Sequence, residues 1–122
     1  MTTRVDTTQP PFKKALKGLA RKYPAVLDEV DRLITRLESD ERPGDKIPNV
    51  GYDVYKVRLK NPSAGRGKRG GFRVVYYVRL ADHVILLTIY AKSQQEDVSP
   101  EQIRRVIADL TPPQEPKEDD SK

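Results

Sequence analysis

Two hydrophobic periods divide the chain. Phe12, Leu16, Leu19 and Tyr23 recur at helical spacing, with Ala15 and Ala20 beside them and Lys13, Lys14, Lys17, Arg21 and Lys22 turned outward. Pro10 and Pro11 suit a first helical turn, and Tyr23-Pro24 stops the helix, because the residue before proline disfavours helical backbone. A second apolar stripe follows at once: Val26, Leu27, Val30, Leu33, Ile34 and Leu37, opposed by Asp28, Glu29, Asp31, Arg32 and Arg36. The short connection predicts an antiparallel helical hairpin. Residues 41 to 45, Glu-Arg-Pro-Gly-Asp, read as the loop that ends it.

From Asp53 the period becomes two. Tyr55, Val57 and Leu59 share one face of a strand; Val54, Lys56, Arg58 and Lys60 share the other. Residues 61 to 71 read as a basic, glycine-rich hairpin loop. Phe72, Val74, Tyr76 and Val78 then alternate with Arg73, Val75, Tyr77 and Arg79. After an Ala81-Asp82 turn, His83 to Lys92 is the most apolar strand. Strict alternation places Ile85, Leu87 and Ile89 on one side and Val84, Leu86, Thr88, Tyr90 and Lys92 on the other. Residues 2 to 7 are β-prone and fit a short edge strand. Ser99-Pro100-Glu101-Gln102 carries a capping box, with Ile103, Val106, Ile107 and Leu110 as the stripe of a last helix.

The expected order is β-α-α-β-β-β-α. This is an α+β domain over residues 1–110: a four-stranded antiparallel sheet, mixed at its N-terminal strand, packed on the helical hairpin. The other sheet face is left partly open. Residues 111–122 are polar and acidic and are expected to lack a packing face.

Charge sharpens this picture. Residues 46 to 92 hold ten Lys or Arg against two acids, Asp53 and Asp82, a local balance of +8 in a chain of +5. Alternation gathers Lys56, Arg58, Lys60, Arg73, Tyr77, Tyr90 and Lys92 on the open face. A basic, aromatic sheet surface suits a polyanion such as RNA, although strands also carry Lys and Arg to discourage edge pairing. The absence of cysteine removes disulfides and thiol catalysis, and a single histidine argues against a structural zinc site. No apolar run approaches the ~20 residues of a membrane span, and no leader pattern opens the chain, so a cytoplasmic protein without a membrane partner is expected. The loop around Gly65–Gly71 lacks the order of a P-loop.

Three segments in order, Tyr55-Lys56-Val57-Arg58-Leu59, Gly70-Gly71-Phe72-Arg73-Val74-Val75-Tyr76-Tyr77 and Leu87-Thr88-Ile89-Tyr90-Ala91-Lys92-Ser93, followed by Gln95-Glu96-Asp97-Val98-Ser99, resemble the RelE/ParE superfamily of bacterial toxin–antitoxin toxins. The likeness is greatest to its HigB-type, RelE-like branch and spans roughly residues 4 to 110. The resemblance implies a RelE-like fold and a ribosome-dependent endoribonuclease. Such an enzyme enters the A site of the small ribosomal subunit. There it cuts mRNA by attack of a 2′-hydroxyl on the adjacent phosphate. The resemblance also implies neutralisation by a cognate antitoxin. No cofactor or metal is needed if side chains supply the charge.

By this resemblance Arg73 clamps the phosphate, since guanidinium is planar, always charged and bidentate. Lys56 and Arg58 occupy the paired basic positions of the preceding strand. The second of these suits a lysine base; here it is Arg58, which leaves Lys56 as that strand's candidate. Lys92 fits an acid or a transition-state stabiliser. Lys60, Arg66, Lys68 and Arg69 are expected on RNA phosphates, and Tyr77 and Tyr90 on its bases. The arginine and tyrosine that RelE places after its last strand are absent, with Ser93, Gln94 and Ser99 there instead. Two alternatives stand beside the nuclease: a ParE-like gyrase inhibitor, and a decayed toxin that serves as a nucleic-acid- or antitoxin-binding module. Glu96 and Asp97 read either as a base pair of carboxylates or as acids placed favourably before a helix N-terminus.

Overall fold

The computed structural model describes residues 2–61, 71–94 and 97–110. Arg66, Lys68, Arg69, Glu96, the centre of the glycine-rich loop and the tail at 111–122 lie outside the described residues.

The elements run β1 (Arg4–Asp6), α1 (Pro10–Lys22), α2 (Val26–Glu38), β2 (Asp45–Lys46), β3 (Val54–Leu59), β4 (Phe72–Leu80), β5 (His83–Ala91) and α3 (Pro100–Ala108). The sheet order is β1-β5-β4-β3-β2, antiparallel except where β1 lies parallel to β5. The architecture is the expected α+β layer with five strands instead of four. The additional strand is β2, two residues paired with Lys56 and Tyr55, in a stretch read from sequence as loop. Gly44 permits that pairing: its φ is +93°, and a Cβ there would collide with the Lys56 carbonyl.

Both sheet faces carry a core. The helical hairpin buries Phe12, Leu19, Val26, Val30, Leu33 and Leu37 against Val57, Leu59, Phe72, Val74, Tyr76, Val84, Leu86, Ile89 and Ala91. On the opposite face, Ile103 of α3, with Val106, Ile107 and Leu110 beside it, packs on Val54, Val75, Ile85, Leu87 and Tyr90. The face expected to be partly open is thus closed by α3 over that second core.

The alternation expected along β5 fails at one point. Val75 pairs with Thr88 but Tyr76 pairs with Leu86, so Leu87 is an extra residue, a β-bulge. Before the bulge Val84 and Leu86 face the hairpin; after it Ile89 and Ala91 do. Ile85, Leu87 and Tyr90 face α3. Val84 and Leu86, expected on the open face, and Ile85 and Leu87, expected toward the hairpin, therefore exchange sides, while Ile89 and Tyr90 keep theirs. The bulge keeps both faces of a central strand apolar while leaving Tyr90 aligned with Arg73.

Local chemistry fixes the ends. Ser99 caps α3: its Oγ accepts from the Gln102 amide at 3.1 Å, and the Gln102 side chain accepts from the Ser99 amide at 2.9 Å. At the start of α1, Gln9 makes no side-chain cap; its amide instead donates to Asp6 Oδ2 at 3.0 Å. Asp6 Oδ1 also accepts from the Thr8 amide and hydroxyl at 2.8 and 2.6 Å, so the carboxylate at the end of β1 organises the turn into α1.

Candidate functional site: a cationic row across three strands

Strand register aligns the candidate residues. Arg58 on β3 stands directly opposite Arg73 on β4, and Arg73 opposite Tyr90 on β5. One step along the same face, Lys56 stands opposite Val75, which pairs with Thr88. One step the other way lie Lys60, Gly71 and Lys92, whose amide donates to the Gly71 carbonyl at 3.1 Å. The rows are about 7 Å apart along the strands.

Gly71 holds this end together. Its φ is +93°, and a Cβ would run into the Leu59 carbonyl, so β3, β4 and the end of β5 converge only because no side chain intervenes.

Like charges directly opposite each other on neighbouring strands destabilise a sheet. Arg58 and Arg73 accept that arrangement. Among the described residues no carboxylate pairs with Arg73; its guanidinium reaches only the Phe72 carbonyl, at 3.4 Å. Two arginines directly opposed on neighbouring strands are suited to an oxyanion.

Lys56 differs. Its Nζ lies 3.0 and 3.3 Å from the two carboxylate oxygens of Asp97. The Tyr90 hydroxyl donates to Asp97 Oδ1 at 3.1 Å, and the Val98 amide donates to the same oxygen at 3.2 Å. To the two sequence readings of this carboxylate the structure adds a third: it bridges β3 and β5. The ammonium beside Asp97 is the main cause that holds its carboxyl below the usual range. Burial, and then the Asp97 charge, push the Tyr90 phenol up to about 12, so it remains a proton donor at neutral pH.

The aromatic expectations change. Tyr90 is only 6% exposed, its ring is part of the second core, and it offers a hydroxyl in place of a stacking face. Tyr77 pairs with Val54 and Ile85, about 13 Å along the strand from Arg73, and packs edge to face on Tyr52 at 5.5 Å. It lies apart from the arginine row because it sits four positions further along β4. Lys60 is exposed just past β3, and Lys92 is half-buried just past β5. Lys46, counted in the basic segment, pairs with Asp53 at 2.7 Å on the far edge. Arg79 lies at the opposite end of β4.

Among the described residues no group of three or more His, Cys, Asp or Glu side chains is placed to hold a metal ion, and no helix is long and apolar enough to cross a membrane.

Fold and face together define a small basic α+β protein with two arginines aligned across neighbouring strands of its sheet. The sequence pattern of the RelE toxin of RelE/RelB toxin–antitoxin systems matches residues 14–111, most of the chain. The chain belongs to the RelE toxin family, and membership implies an antitoxin as partner.

Proposed function

We propose that this toxin is a ribosome-dependent mRNA endoribonuclease that cleaves in the A site by 2′-hydroxyl attack. The observation that carries the reading is the Arg58–Arg73 pair, two arginines directly opposed in the register of neighbouring strands. They suit the non-bridging oxygens of one phosphodiester, whose charge grows as the 2′-oxygen adds to phosphorus. In-line displacement puts the attacking and leaving oxygens on opposite sides of phosphorus, and a proton moves on each side. Lys56 and Lys92 flank the arginine row on opposite sides and are the lysines suited to those transfers. The 2′-oxygen bonds to phosphorus as the 5′-oxygen leaves, giving a 2′,3′-cyclic phosphate and a 5′-hydroxyl. Lys60, exposed just past β3, extends the positive charge of this face, and Arg66, Lys68 and Arg69, outside the described residues, add to the local basic charge in sequence.

The test is a defined message in a purified translation system, with and without ribosomes, followed by mapping of the new 5′ ends. Cleavage confined to translated message with 5′-hydroxyl ends is expected. Cleavage of naked RNA, or 5′-phosphate ends, would overturn the ribosomal 2′-hydroxyl route.

The antitoxin has a fitting surface away from this row. An open groove of about 1020 Å³ runs between α1 and α2, with Leu16, Ala20, Val30 and Ile34 among its lining residues. Lys13, Lys17 and Arg21 line it too, and α1 has no acid. An acidic amphipathic helix of the antitoxin matches both its apolar lining and its charge.

A further inference from the structure

The geometry points to Asp97, itself held by the Tyr90 hydroxyl, as a positioning residue that aims the Lys56 ammonium at the phosphate held by Arg58 and Arg73. This inference rests on the endoribonuclease reading and adds to it a residue outside the cation set.

The argument starts from what holds Asp97. It lies two residues before the Ser99 cap, whose reciprocal hydrogen bonds with Gln102 fix the first turn of α3. Ile103, 1% exposed, seats that turn in the second core, and Val98 packs beside it. The carboxylate therefore projects from an anchored segment toward β3 and β5.

What Asp97 holds comes next. Lys56 carries a long flexible stem whose side chain is 33% exposed, and lysine loses substantial rotamer entropy when fixed. Contact with both carboxylate oxygens restricts it to one place beside the arginine row. Tyr90 is fixed by burial of its ring, and Asp97 orients only its hydroxyl. One carboxylate thus ties a β3 ammonium to a buried β5 phenol, 41 and 7 residues away in sequence, and the phenol's single proton, given to Asp97, braces the carboxylate.

A surface ion pair by itself stabilises little, and the Asp97 side chain is 59% exposed. A buried phenol needs an acceptor, which accounts for the Tyr90–Asp97 bond, but stability alone gives no reason for the same carboxylate to hold a lysine beside two arginines. Positioning gives one, because the phosphate has to meet donors whose directions are already set.

The experiment compares wild type, Asp97→Ala, Asp97→Asn and Asp97→Glu in single-turnover cleavage on programmed ribosomes, with Arg73→Ala alongside. It also follows Tyr90 titration by NMR of ring-labelled tyrosine. Positioning predicts a fall in the cleavage step of about ten- to a hundred-fold in Asp97→Ala and Asp97→Asn, little change in half-saturation, and partial recovery in Asp97→Glu. Tyr90 should titrate lower in Asp97→Asn, because the carboxylate charge is gone. Faster cleavage in Asp97→Ala would make the carboxylate a lock on Lys56 and overturn the inference. So would a pure loss of ribosome affinity. Should Asp97→Ala fail to fold, the near-isosteric Asp97→Asn decides by the same readouts. A wild-type protein that cleaves nothing refutes the nuclease reading and the positioning role with it, while a shifted Tyr90 titration would still show the bridge itself to exist. An unmoved titration refutes the bridge.

Discussion

Replacing Arg73 by alanine should separate catalysis from stability. Arg73 faces Arg58 across adjacent strands, and opposed like charges cost roughly 0.2–1 kcal/mol. Among the described residues the one hydrogen bond of its side chain, to its own neighbour's carbonyl at 3.4 Å, is at the limit of useful length. Truncation removes the repulsion but also the half-buried stem, whose apolar cover is worth about 25 cal/mol per Å². The two effects oppose each other, so the net change in unfolding free energy should stay within about 0.5 kcal/mol. The cleavage step loses a preorganised cation, a change worth about 2.7–4 kcal/mol, or 10²–10³ in rate. Urea unfolding followed by circular dichroism reads the first quantity; single-turnover cleavage on programmed ribosomes reads the second. Arg73→Lys keeps the charge without the planar fork and should fall between. Destabilisation above about 1.5 kcal/mol would mark Arg73 as structural, and an unchanged cleavage rate would place the phosphate elsewhere.

Four further outcomes follow from particular contacts. Gly71→Ala should lower the melting temperature and cleavage together, since a positive φ costs about 1–2 kcal/mol before the collision with Leu59; thermal unfolding reads it. Burial works to raise the pKa of Asp6, but hydrogen bonds from Thr8 and Gln9 outweigh it and hold the carboxyl below its usual 3.8. Its contribution is therefore complete above 3.8 and disappears as pH falls through the lower folded value, so Asp6→Asn should cost about 1–3 kcal/mol at neutral pH and progressively less in acid, by urea unfolding across pH. Tyr76→Phe should destabilise by about 0.5–1.5 kcal/mol, because the buried hydroxyl donates to the Pro43 carbonyl at 2.5 Å; equal unfolding curves would refute that bond. Reversing Lys13, Lys17 and Arg21 to glutamate should weaken antitoxin binding and its salt dependence in titration calorimetry, whereas unchanged affinity would move the antitoxin off this groove.

Much of this molecule was legible along the chain because its signals are local. The stripe from Phe12 to Tyr23 and that from Val26 to Leu37 are set by neighbours three and four residues away. Residues 99 to 102 contain both halves of the α3 cap within four positions. Alternation along β3 and β4 assigned Lys56, Arg58 and Arg73 to one face, and the register agrees. Along β5 the same rule failed, since Val84 to Leu87 is continuously apolar and has no period that could reveal a bulge. Nor was β2 visible: its pairing depends on Gly44 letting the Lys56 carbonyl approach, a contact with a distant strand.

The residues by themselves determined the element types, the excess of cations in the sheet segment and the family likeness, because each is a property of composition or of spacing within a few positions. Tertiary structure alone decided that Tyr90 is buried, that Lys56 meets Asp97, and that Arg58 stands directly opposite Arg73. Those facts depend on strand register and on where α3 docks, and both are settled by burying two apolar faces at once, a condition that no single segment carries.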